Sequence, residues 1–146
     1  MLNQYPDLNG YYFEDLKVGM SATFSRTITE TDLRNFSGVS GDTNPMHLNE
    51  EYAAKTSFGG CIVHGMLTAS LISAVIGTKL PGPGCIYLSQ NLKFMAPVRV
   101  GDTVYAVATI SELIPEKKRA IMKTQCLSKN IVVIDGEAII KVPSRT

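Results

Sequence analysis

The sequence predicts an α+β fold in which a five-stranded antiparallel sheet wraps one long buried helix. The stretch from Gly65 to Lys79 is apolar almost all round and has helical length, four strand-like runs follow it with only short turns between them, and one strand-like run precedes it. Short turns make neighbouring strands antiparallel, and a helix that is apolar on most sides needs a curved sheet to cover it.

Taken in order, Tyr11-Tyr12-Phe13 and Leu16 form a lead-in segment that packs on the domain and ends at Gly19. Ser21 to Ile28 reads as the first strand, with Phe24, Thr27 and Ile28 favouring extended backbone. Thr29 followed by Asp32 is a capping box with Asp in place of Glu, and Ile28 and Leu33 stand where a hydrophobic staple would, so a helix is expected over Glu30 to Phe36. Asn49 caps a second short helix over Glu50 to Lys55, and Phe58-Gly59-Gly60 forces a turn. The helix from Gly65 to Lys79 is about 22 Å long at 1.5 Å per residue, buried on most sides, and stopped by Pro81-Gly82-Pro83-Gly84. Strands are then expected over Cys85 to Phe94, Thr103 to Leu113, Arg119 to Ser128 and Ile131 to Val142. Asp135-Gly136 inside the last of these predicts a bulge.

At 146 residues the chain fits a single domain, residues 1–146, with residues 1–15 as an N-terminal extension packed on it. Hydrophobic residues make up 45% and charged residues 18%, the balance of a well-packed soluble protein. A formal net charge of +1, with only Lys117-Lys118-Arg119 clustered, gives no electrostatic footprint for nucleic acid. Cys61, Cys85 and Cys126 are widely spaced and odd in number, which fits reduced thiols in a cytoplasmic protein and no zinc site. Met1 to Gly10 lacks the basic start and apolar run of an export signal, and Gly65 to Leu80 is shorter than the roughly 20 residues of a membrane span. No membrane or nucleic-acid partner is expected.

The chemistry concentrates in Ser40-Gly41-Asp42-Thr43-Asn44-Pro45-Met46-His47, where a carboxylate and one of two histidines share a turn-rich loop. A carboxylate and an imidazole that share a water molecule make a general acid/base pair for adding or removing that water. The alternative is structural: Asp42 caps a turn and His47 packs against its neighbours.

Phe36, Gly41 through His47, Ile62-Val63-His64-Gly65-Met66-Leu67, Ser70 and Ser73 together resemble the MaoC-type (R)-specific enoyl-CoA hydratases. The similarity continues through Pro81-Gly82, Gly84, Ile86-Tyr87-Leu88, Phe94, Pro97-Val98, Val100-Gly101-Asp102 and Gly136-Glu137-Ala138, from about Leu16 to Pro143. The resemblance implies the hotdog fold, a homodimer with sheets joined edge to edge, an acyl-CoA thioester substrate, and no metal or redox cofactor, coenzyme A being part of the substrate. The implied reaction is reversible hydration of a trans-2-enoyl thioester to the (R)-3-hydroxyacyl thioester.

On that footing Asp42 and His47 are the expected catalytic pair, titrating together, and Gly65 is the expected oxyanion donor, because a helix head offers unpaired N–H groups. Asn44 and Pro45 are read as fixing the loop, and His64 as a buried ring that orders the helix start, with direct catalysis as its other reading. Ser73 matches a family position near the catalytic pair, or else bonds back to its own helix. Thr68 and Ser70 are read as structural, and Lys117-Lys118-Arg119 as a solvated hairpin end rather than a coenzyme A phosphate site. The competing functions are a dehydratase acting on acyl-carrier-protein thioesters, a hotdog thioesterase, and a non-catalytic acyl-binding module. The thioesterase is disfavoured because Gly65 to Lys79 contains no carboxylate.

Overall fold

The computed structural model describes residues 5–146, so residues 1–4 of the expected N-terminal extension lie outside the described residues. The lead-in segment buries Phe13 and Leu16. Its backbone is tied down as well, with N–H groups of Gly10 and Tyr11 donating to the carbonyls of Pro83 and Pro81 at 2.9 and 2.8 Å, and that of Phe13 to Pro143 at 2.7 Å.

The elements are β1 (Ser21–Thr27), α1 (Glu30–Ser40), the one-turn α2 (Pro45–Leu48), α3 (Glu50–Ala54), the long α4 (Gly65–Thr78), β2 (Ile86–Phe94), β3 (Thr103–Ile114), β4 (Arg119–Ser128) and β5 (Ile131–Lys141). They form one five-stranded sheet in the order β1-β3-β4-β5-β2, every adjacent pair antiparallel. Strands β3 and β4 alternate buried and less buried positions, so one face of each meets the helix. There Leu71, Ile72, Val75 and Ile76 of α4 join Val104, Ala106, Ala108 and Ile110 of β3 with Ala120 and Met122 of β4 in the core. The alanines on β3 let the helix sit close to the sheet. Ile72 is 1% exposed, and trimming such a side chain to alanine costs roughly 2–5 kcal/mol.

The capping box at Thr29 is present: Thr29 Oγ1 accepts the Asp32 N–H at 3.1 Å and Asp32 Oδ2 accepts the Thr29 N–H at 2.9 Å. Three expectations need correction. First, α1 runs past Phe36 to Ser40, because Gly41, in the left-handed region at φ 79°, is what closes it. Second, the cover on α4 is incomplete along one line: Met66, Ser70, Ser73 and Gly77 form an exposed stripe on an otherwise largely buried helix. Third, Asp135 and Gly136 pair regularly with Gln125 and Thr124 on one side and Lys93 and Leu92 on the other. The bulge on β5 sits at Val133 instead, where the register to β4 slips between Cys126 and Leu127. Gly136 serves another need, since a Cβ there would lie 2.0 Å from the Asn91 carbonyl oxygen. Further bulges fall at Leu88 on β2 and Ser111 on β3.

Candidate active site

The segment between α1 and α4 supplies the polar groups. The N–H of Gly41 closes α1 on the Ser37 carbonyl at 2.9 Å, and the left-handed turn makes Asp42 the first residue beyond the helix. Asp42 donates its N–H to Ser40 Oγ at 3.1 Å, and its Oδ1 accepts the Asn44 N–H at 3.2 Å. Asn44 caps α2, its Oδ1 accepting the Met46 N–H at 3.1 Å, with Pro45 in the first turn. His47 therefore stands on a turn of helix rather than on a free loop. The Asn-Pro pair was the available sequence signal for that turn.

His47 Nδ1 lies 2.8 Å from the Ile62 carbonyl. A carbonyl only accepts, so Nδ1 carries the proton and Nε2 of the neutral ring is left as an acceptor. Beneath it, the His64 ring stacks at 3.9 Å between centroids and 28° between planes, with Phe36 tilted against its other neighbourhood at 4.8 Å. His64 is 1% exposed. Its Nε2 lies 3.0 Å from the Asp42 carbonyl oxygen and 3.1 Å from Ser37 Oγ, which fixes the proton on Nε2 and leaves Nδ1 a bare lone pair. Burial pushes His64 below the ordinary imidazole range, reinforced by His47 and partly opposed by the bond to the Asp42 carbonyl. His64 is a neutral clamp that joins the Asp42 loop to the head of α4.

The side chains of Asp42, His47 and His64 each offer a ligand-type atom, all within 4.8 Å of one another. Two hydrogen bonds of about 2.8 Å meeting tetrahedrally at one oxygen span about 4.6 Å, so one water can bridge Asp42 and His47. At the adjoining end of α4, the N–H groups of Gly65 and Met66 have no backbone acceptor among the described residues. Gly65 is a close-approach position as well: a Cβ on it would stand 2.6 Å from the Phe94 ring.

Asp42 and the head of α4 border a cavity of about 450 Å³ with a mainly apolar lining that includes Gly65, Thr68, Phe94, Val98 and Ile134. His47 borders instead a second, more polar cleft of about 480 Å³ with Glu30, Arg34, Glu50 and Arg99. Asp42 and the bare helix head open into the first. Arg99 donates to the carbonyls of Phe58 and Cys61 and so holds the loop between the two openings.

Of the residues singled out from sequence, Asp42, Asn44, His47, His64 and Gly65 converge. Ser73 does not: it is exposed and lies about 12 Å beyond Gly65 at the helical rise per residue. Sequence reasoning missed Ser37 and the Ile62 carbonyl. No local pattern announces a hydrogen bond or a ring contact across so many residues of chain.

The sequence profile of the MaoC like domain family matches residues 15–133. An (R)-specific enoyl-CoA hydratase of Rhodospirillum rubrum is 55% identical over 139 residues, 95% of this chain and 96% of that protein. A 3-hydroxybutyryl-CoA dehydratase of Methylorubrum extorquens is 50% identical over 140 residues, 96% of this chain and 89% of that protein. The solved structure of an R-hydratase from Pseudomonas aeruginosa in the unliganded form superposes with a TM-score of 0.87 at 44% identity, covering 93% of this chain and 88% of that one.

Proposed function

The chain belongs to the MaoC like domain family, and from that premise we propose that it is an (R)-specific enoyl-CoA hydratase, equally a 3-hydroxyacyl-CoA dehydratase, acting on short acyl chains such as crotonyl-CoA. One observation carries the reading: Asp42, which lines an apolar cavity together with the uncapped head of α4, has His47 within a bridging water's span. Asp42 and His47 Nε2 take a proton from the bridging water as its oxygen bonds to C3. The C2–C3 π electrons pass to the thioester carbonyl, where the N–H groups at Gly65 and Met66 meet the developing enolate. A proton returned to C2 by the same pair completes the (R)-3-hydroxyacyl thioester. No metal or redox group is needed for this sequence, and coenzyme A enters as part of the substrate.

A homodimer fits the exposed surface. Edge strand β2 presents Ile86, Tyr87, Leu88 and Phe94 at 56, 38, 43 and 54% exposure, a template for pairing with another edge. Among the described residues no helix is long and apolar enough to cross a membrane, and the free thiols of Cys61, Cys85 and Cys126 suit a reducing cytoplasm.

The test is hydration of crotonyl-CoA by the purified chain, with chiral analysis of the product and crotonyl-acyl-carrier protein as the rival substrate. The reading expects (R)-3-hydroxybutyryl-CoA, and losses of orders of magnitude for Asp42→Ala and His47→Ala with little change in melting temperature. An (S) product, undiminished turnover in either variant, or a strong preference for the carrier-protein thioester would overturn it.

A further inference from the structure

Helix α4 carries Thr68, Ser70, Ser73 and Thr78. Ser70 Oγ bonds back to the Leu67 carbonyl at 2.5 Å and Thr78 Oγ1 to that of Ala74 at 2.6 Å, the usual resolution for a hydroxyl on a helix. Ser73 is exposed to solvent. Thr68 is different: it is 2% exposed, forms part of the cavity wall with Asp42 and Gly65, and its hydroxyl has no partner among the described residues. The nearest carbonyl one turn back, that of His64, already accepts the N–H groups of Leu67 and Thr68 at 3.1 and 3.2 Å. Thr68's own carbonyl faces the Cys126 thiol at 3.6 Å.

An unpaired buried hydroxyl destabilises a fold, and valine fills the same space without it. Helical side chains lean toward the N-terminus, so the Thr68 side chain lies over Gly65, one turn earlier and without a Cβ to intervene. We infer that Thr68 is a substrate-contacting residue whose hydroxyl donates to the thioester carbonyl oxygen, beside the N–H groups at the head of α4. The acyl tail is apolar and offers the hydroxyl nothing, whereas that oxygen is common to substrate and product and gains charge as water adds. The assignment rests on the hydratase reading above.

Crotonyl-CoA hydration by the purified full chain is compared for wild type, Thr68→Val and Thr68→Ser, with kcat and KM separated and melting curves recorded. Thr68→Val should lower kcat by about ten- to a hundredfold, with KM changed by less than about threefold and no loss of melting temperature. Thr68→Ser should return kcat to within about threefold of wild type. Should Thr68→Val fail to fold, Thr68→Ala takes its place against Thr68→Ser. Wild-type kcat in the hydroxyl-free variant, or a serine variant as slow as it, would overturn the assignment. Inactive wild-type protein would instead refute the hydratase reading, so the two failures are distinguishable.

Discussion

Replacing Gly136 with alanine tests the packing of the sheet beside the site. Gly136 lies on β5 between Thr124 of β4 and Leu92 of β2. A methyl group there would stand 2.0 Å from the Asn91 carbonyl oxygen and 3.1 Å from Gln90 Nε2. Ordinary carbon–oxygen contact is about 3.3 Å, so β2 must retreat by more than 1 Å. Two effects add. Overpacking of this kind costs roughly 1–3 kcal/mol. The Gln90 side chain, which crosses the gap left by Gly136 to reach Thr124 Oγ1 at 2.8 Å, would also be displaced, leaving the fully buried Thr124 hydroxyl unpaired at roughly 1–3 kcal/mol more. A net loss of about 3 kcal/mol is a conservative figure within that range. For 146 residues the unfolding entropy is about 0.3 kcal/mol/K, so the midpoint should fall by about 10 °C. Thermal melts followed by circular dichroism measure it, and a midpoint within about 2 °C of wild type would show that β2 and β5 are not in the close contact described. Crotonyl-CoA hydration should fall too, because β2 ends at Phe94, against Gly65.

Three other substitutions probe separate parts of the molecule. Gly65→Ala should keep its melting temperature within a few degrees, since the half-exposed Phe94 ring can swing aside, yet lose about ten- to a hundredfold in kcat because the methyl stands over the helix-head N–H groups; parallel melts and kinetics separate the two. His64→Phe should retain the ring stack but orphan Ser37 and free the Asp42 carbonyl, costing about 1–3 kcal/mol in urea titrations. Because burial lowers the His64 pKa, the unfolded chain takes the proton first as pH falls below about 6.5. Wild type therefore loses stability from there down through the folded value, and the phenylalanine variant should show a shallower fall. Finally, Asp32 is held at about 2, chiefly by the Arg26 guanidinium and then by Thr29. Its depressed pKa contributes stability above about pH 4 that is lost as pH falls toward about 2. Asp32→Asn should cost about 1 kcal/mol at neutral pH, a figure reduced because Arg26 is half exposed, and the difference should vanish near pH 2 in acid titrations.

Local rules carried the fold a long way. The apolar helix, the four-strand run and the Thr29–Asp32 box each depend on neighbours in sequence, and each stands within a residue or two of its expected place. The one-turn helix at Pro45 was legible in its Asn-Pro start but is too short for periodicity to register. The bulge was misplaced because glycine in a strand signals either a kink or a close approach, and only the facing strand decides between them. In the site, Asp42 and His47 were singled out by chemical type and Gly65 by the family resemblance together with its place at the helix head. Ser37 and the Ile62 carbonyl escaped because their importance arises from contacts made across the fold, and Thr68, read as structural from sequence, stands out only once its burial and missing partner are seen.

The His47 ring leans on the Ile62 carbonyl, the Ile62 N–H returns to the Met46 carbonyl at 3.3 Å, and Val63 is tied to Val98 at 2.8 Å. The His47 ring and the helix head are thus bolted to one short stretch of chain, whereas Met95, Ala96 and Pro97 of the cavity wall come from the connection between β2 and β3. Mutation can reshape that wall while the chemistry stays in tune, and a scaffold divided this way is free to diversify in acyl length without inventing a new reaction.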